Sequence, residues 1–117
     1  MSRARLGTAA FWVVAGVMHF VIPRQYQAIV PPPLDRWKGE VVVASGVAEI
    51  VGGAAVLPAR TRRAARWWLL ATLVAVYPAN IHMAVHAQRF APIPAAALWA
   101  RLPVQGVFAW WTWRGTR

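Results

Sequence analysis

The chain has no cysteine, which excludes disulfides, thiolate metal sites and thiol redox chemistry of its own. Acids are nearly as scarce: among 117 residues only Asp35, Glu40 and Glu49 carry carboxylates. A paired-carboxylate site has little to be built from, and no Gly-rich phosphate loop or Ser/His/Asp set is visible. Independent catalysis is not expected, and no catalytic residue is assigned. Charge of any sign makes up 14% of the chain, against about a quarter in an ordinary soluble domain.

Apolar residues fill the space that charge leaves. They make up 59% of the chain, and the mean hydropathy is +0.43. A soluble fold of this length has too little interior to hide so much apolar surface, whereas contact with lipid removes the difficulty. The length suits a single domain. The charge that remains is basic, 13 Lys and Arg against 3 acids, a formal +10. In a soluble protein such a balance points to nucleic acid. Here the basic residues sit in short clusters between long uncharged runs, the pattern of membrane topology, so a bilayer and no nucleic acid is the expected partner.

A membrane helix needs about 17–25 mostly apolar residues. Four stretches qualify as expectations, at about 6–22, 40–57, 65–87 and 99–113, the last being the shortest. Pro23 and Pro58 end the first two. Arg24 to Gly39, with Pro31, Pro32 and Pro33, reads as a Pro-rich outer loop. Tyr26, Ile29, Val30, Leu34 and Trp37 make it apolar enough to lie over the helices as a lid. Ala59 to Ala64 and Gln88 to Pro94, the latter with Arg89 and Pro92, read as the other loops. The basic start followed by an apolar run resembles a signal peptide, but no small-x-small site closes it, so it reads as a retained helix.

In a four-span chain the termini and the middle loop share a side. That side holds eight basic residues, Arg3, Arg5, Arg60, Arg62, Arg63, Arg66, Arg114 and Arg117. The other holds five. The expected fold is all-α, a four-helix transmembrane bundle of the cell membrane with both termini cytoplasmic. Trp67, Trp68, Trp110, Trp111 and Trp113 on one side, and Trp37 and Trp99 on the other, match interfacial aromatic belts.

Polar residues inside such spans are expensive and face the interior. At 1.5 Å per residue, Glu49 lies roughly 13 Å from the outer end of its span, Asn80 about 12 Å, Gln105 roughly 6 Å and His19 about 5 Å. All fall in the outer half, as if around one polar pocket. With Ser45 and Arg101 they form the candidate ligand-binding set.

Glu49 leads it. A carboxylate at that depth costs about 3 kcal/mol or more unless paired or protonated. It reads either as a proton site or ligand anchor, or as a structural partner of His19, Asn80 or Gln105. Ser45, Glu49, Gly52 and Val56 share a stripe, and Gly46 and Gly53 beside it let another helix come close. Asn80 follows Pro78, which frees a carbonyl near residue 74, so Asn80 serves either that group or a ligand. Arg101 pairs with Glu40 or Asp35, or holds an anionic headgroup. His82 and His86 have helical metal-pair spacing, but with no Cys and few acids beside them no metal is expected.

The motifs Gly16-Val17-Met18-His19-Phe20 with Pro23, Ile29-Val30-Pro31-Pro32, Ser45-Gly46-Val47-Ala48-Glu49-Ile50 with Gly52-Gly53 and Leu57-Pro58 are followed by Tyr77-Pro78-Ala79-Asn80-Ile81 with Met83-Ala84. Arg101-Leu102-Pro103-Val104-Gln105 completes the series. Together the chain resembles the DoxX-like family of small four-helix membrane proteins. The resemblance implies a quinone-associated or redox-accessory role, with quinone or lipid bound in the outward polar pocket; the sequence itself shows no haem-ligating His pair on facing inner-half helices, so no haem is expected. The rival expectations are a small proton-coupled transporter or permeation protein using Glu49, working as a homo-oligomer, and a structural subunit of a larger membrane redox complex that packs through Gly46, Gly53 and Ala54.

Overall fold

The computed structural model describes residues 2–90 and 93–117, so Pro92, one of the expected loop prolines, lies outside the described residues. The described residues form five helices and no strand: α1 (Arg3–Val21), α2 (Pro23–Ala28), α3 (Lys38–Ala55), α4 (Ala59–Val85) and α5 (Ala95–Gly115). Single 3-10 segments, Pro32–Trp37 and Ala87–Phe90, follow α2 and α4. The molecule measures 43 × 28 × 21 Å.

Local chemistry sets most boundaries. The Ser2 hydroxyl accepts from the Arg5 N–H at 3.1 Å and caps α1. Pro23 opens α2 and Pro58 precedes α4, positions where a missing N–H costs nothing. The Arg cluster at 60–63, expected as loop, is the first turn of α4 instead. Positive charge at a helix N-terminus opposes the helix dipole, but here the side chains turn to a neighbouring helix end. Arg62 donates to the Val56 and Leu57 carbonyls at 2.9 and 2.7 Å, and the Thr61 hydroxyl donates to the Ala55 carbonyl at 2.7 Å. Together they satisfy the open C-terminus of α3.

The four long helices run alternately up and down, each beside two others, with α1 against α3 the most extensive contact. Glycine allows it. A Cβ on Gly16 would lie 2.6 Å from the Gly46 carbonyl oxygen, and one on Gly53 would lie 2.9 Å from the Trp12 Cβ. The seam expected at Gly46 and Gly53 is therefore filled by α1 of the same chain. Ala9, Trp12, Val56, Ala65, Leu69 and Leu73 form the buried apolar cluster.

Among the described residues two helices, α1 and α4, are long and apolar enough to cross a membrane. The expected four-span bundle is not met at this level. In its 18 residues α3 includes Lys38, Glu40 and Glu49, and α5 carries Arg101, Pro103, Gln105 and Arg114 and takes much of its apolar mass from four Trp.

Candidate functional site

A cavity of about 380 Å³ lies where α1 ends and α3 begins. The ends of α1 and α4 and the starts of α3 and α5 wall it, and Tyr26, Ile29, Val30, Pro31 and Leu34 line it from the segment between α1 and α3. Its surface is mostly apolar, with Phe11, Trp12 and Phe108 toward the core. Its volume is in the range of small-molecule sites. Five of the six candidate residues line it: His19, Ser45, Glu49, Asn80 and Arg101.

His19 and Glu49 meet in its wall, with Nε2 and Oε2 3.0 Å apart and side chains 8% and 10% exposed. The glycine seam brings the two together, since Gly46 packs against the His19 Cβ one turn from Glu49. The His19 ring is held from two other sides. Its Nδ1 lies 2.8 Å from the Ala15 carbonyl, and the Tyr26 ring stacks on it at 3.9 Å between centroids, 21° from parallel. A carbonyl oxygen only accepts, so Nδ1 carries a proton. Two lone-pair atoms at 3.0 Å then need one proton between Nε2 and Oε2, and the pair with that proton is neutral overall whichever atom holds it. The approach is that of an ion pair. It is not aligned as a hydrogen bond, and no hydrogen-bond donor reaches the buried Oε2.

Gln105 is the exception. It lies between α4 and α5, where its Nε2 donates to the Leu73 carbonyl at 2.5 Å and its Oε1 accepts from Arg101 Nη1 at 3.1 Å. Tyr77 returns the contact, its hydroxyl donating to the Leu102 carbonyl at 3.3 Å. The helix carbonyl contacted near Pro78 thus receives Gln105 and not Asn80. Ser45 and Asn80 make no side-chain hydrogen bond among the described residues, leaving both free to face the cavity. Arg101 does not pair with Asp35, which lies 3.9 Å from Lys38, or with Glu40. Its guanidinium carbon stands 4.8 Å over the Phe108 ring.

Sequence reasoning passed over Tyr26 and Phe108 as site residues. Tyr26 could have been noticed as an aromatic one turn past the helix-ending Pro23, within reach of His19. The His82 and His86 rings lie 4.5 Å apart at a tilt of 45°, away from this cavity.

The family profile described as a domain of unknown function, DUF8561, matches residues 8–116. The chain belongs to the DUF8561 family. No curated protein and no solved structure matches it. The resemblance to the DoxX-like family is thereby corrected. The motifs that carried it are largely packing devices: Gly16, Gly46 and Gly53 are helix contacts, and Pro23, Pro58, Pro78 and Pro103 mark helix starts and interiors. In this DUF8561 chain the expectation of a redox-accessory role loses the support of that resemblance.

Proposed function

We propose that this protein is an integral membrane protein whose four long helices all cross the bilayer, both termini cytoplasmic, and that its cavity holds the head of a small lipid-soluble molecule, a quinone or a lipid. One observation carries the reading: six polar side chains, Tyr26 among them, line a single cavity while the helices turn apolar residues outward. That holds for α3 and α5 as well as for α1 and α4. Val43, Val47 and Val51 on α3 are each about half exposed, as are Trp99, Val107 and Trp110 on α5. The charges of α3 do not oppose a crossing, since Lys38 and Glu40 stand in its first turn and Glu49 faces His19. An 18-residue helix is about 27 Å long, close to the roughly 30 Å hydrocarbon core. The basic excess on the side of the termini supports the orientation.

The cysteine-free chain makes topology directly testable. Single cysteines at Ser2 and Arg63 should be protected from an impermeant maleimide added outside intact cells, and those at Asp35 and Gln88 should be labelled. Labelling of Ser2 and Asp35 from the same side would refute the crossing pattern. For the cavity, equilibrium binding of a short-chain benzoquinone and of dodecanol to purified protein should saturate and be lost in Ser45→Phe, which fills the cavity. Binding that Ser45→Phe leaves intact would show the ligand is elsewhere.

A second reading, proton-coupled permeation through Glu49, is favoured by the proton that the His19–Glu49 contact requires. Liposomes containing the protein should then show a pH-driven flux that Glu49→Gln abolishes. Flux equal in both would dispose of it.

A further inference from the structure

The charges around the cavity do not balance. His19 and Glu49 cancel when they share one proton. Arg101 has no carboxylate partner among the described residues, for Asp35 lies beside Lys38 and Glu49 beside His19. One guanidinium N–H goes to Gln105, and the others remain available at a half-buried position on the cavity wall. Asn80 and Ser45 add an amide and a hydroxyl with no side-chain hydrogen bond among the described residues, both able to donate to a bound head. Beside the cavity, between α4 and α5, runs an apolar groove of about 620 Å³ that shares Leu73 and Pro78 with it. Nothing lies within 4 Å of where a Gly106 side chain would stand in that groove.

From these features we infer that the cavity selects an anionic amphiphile, its phosphate or carboxylate head held by Arg101, Asn80 and Ser45 and its alkyl chain lying in the α4–α5 groove. This deepens the reading of the cavity as a site for a lipid-soluble molecule and rests on it. A guanidinium is the side chain best matched to such oxygens, because its N–H groups form a planar fork and charge-assisted hydrogen bonds are the strong ones. A cationic head would meet Arg101 with like charge. A neutral head would leave the guanidinium half-buried without a counter-charge. An inorganic anion would leave the groove unused.

The test is competitive binding to purified protein in discs of neutral phosphatidylcholine, with empty discs as the baseline. Probes are dodecyl phosphate, dodecanol, dodecyltrimethylammonium, a short-chain benzoquinone and inorganic phosphate. Dodecyl phosphate should bind at least about tenfold more tightly than dodecanol or the quinone, as one charge-assisted pair predicts. The trimethylammonium probe and inorganic phosphate should not compete. Arg101→Gln should remove the preference for dodecyl phosphate over dodecanol, with unchanged helical circular dichroism in the same discs reporting that the variant is folded. Arg101→Lys should retain part of it, and Gly106→Phe should weaken dodecyl phosphate by obstructing the chain.

Equal affinity for dodecyl phosphate and dodecanol would overturn the inference while leaving the cavity reading intact. No saturable binding of any amphiphile would overturn both. Repeating the measurement in discs containing phosphatidylglycerol identifies the source of the head. Displacement of the probe supports a membrane lipid, and retention supports a free amphiphile.

Discussion

At the end of the molecule where α1 begins and α5 finishes, most polar groups are matched pair by pair, with the buried Arg5 Nε as the exception. Arg62 and Thr61 occupy the last carbonyls of α3. Arg66 reaches the Thr116 hydroxyl and carbonyl at 3.1 and 3.0 Å and lies 4.1 Å over the Trp113 ring. The indole N–H of Trp12, fully buried, donates to the Thr112 hydroxyl at 3.1 Å. At the other end Glu49 Oε2 is buried without an aligned donor, Ser45 and Asn80 face a cavity, and Arg101 has no acid. Buried polar groups in native proteins are nearly always hydrogen-bonded, and exceptions call for a reason. One end satisfies most of its polar groups within the protein, and the other leaves several facing a cavity, as the proposed ligand site requires.

Substitutions should separate the two ends, and thermal unfolding in detergent measures each. The largest loss is expected where the ends are joined, at the glycine seam. Gly46→Leu forces a side chain into Phe20, His19 and the Gly16 backbone and should cost about 3 kcal/mol, while parting His19 from Glu49. Gly106→Leu, with open space around it, should be neutral or stabilise by under about 1 kcal/mol. Equal losses would mean that the seam is not a constraint. Next comes Thr112→Val, which strands the Trp12 N–H and should cost about 2 kcal/mol without touching cavity binding. Arg66→Leu, losing its bonds to Thr116 and its place over Trp113, should cost about 1 kcal/mol.

The smallest change is expected from Glu49→Gln, within about 0.5 kcal/mol, because a Gln amide can donate to His19 Nε2 and no buried charge is left. A loss above about 2 kcal/mol there would make the pair a structural brace and erase the contrast between the ends.

Much of this arrangement is legible in the residues. Pro23 and Pro58 stand at helix boundaries because a proline's missing N–H is a local property. The polar residues gather at one end because depth along a helix follows from counting. The start of α4 reads as a loop in the sequence because Arg60, Arg62 and Arg63 interrupt the apolar runs on either side. The partner of Arg62, the C-terminus of α3, lies in another element. Gln105 could be recognised as polar and interior, but not as the partner of a helix carbonyl thirty-two residues away. The family could not be read from short motifs of Gly and Pro, whose packing uses are shared widely among helical proteins.

By itself the sequence determined an all-helical, apolar chain with a basic end and a polar end, since periodicity, proline and charge act over a few residues. The tertiary structure decided which polar residues meet. His19 and Glu49 come within 3.0 Å because Gly16 and Gly46 let two backbones touch, and Gln105 is drawn away from the cavity by the Leu73 carbonyl. Those outcomes depend on the separation and rotation of whole helices, which follow from all their contacts together and from no single stretch of residues.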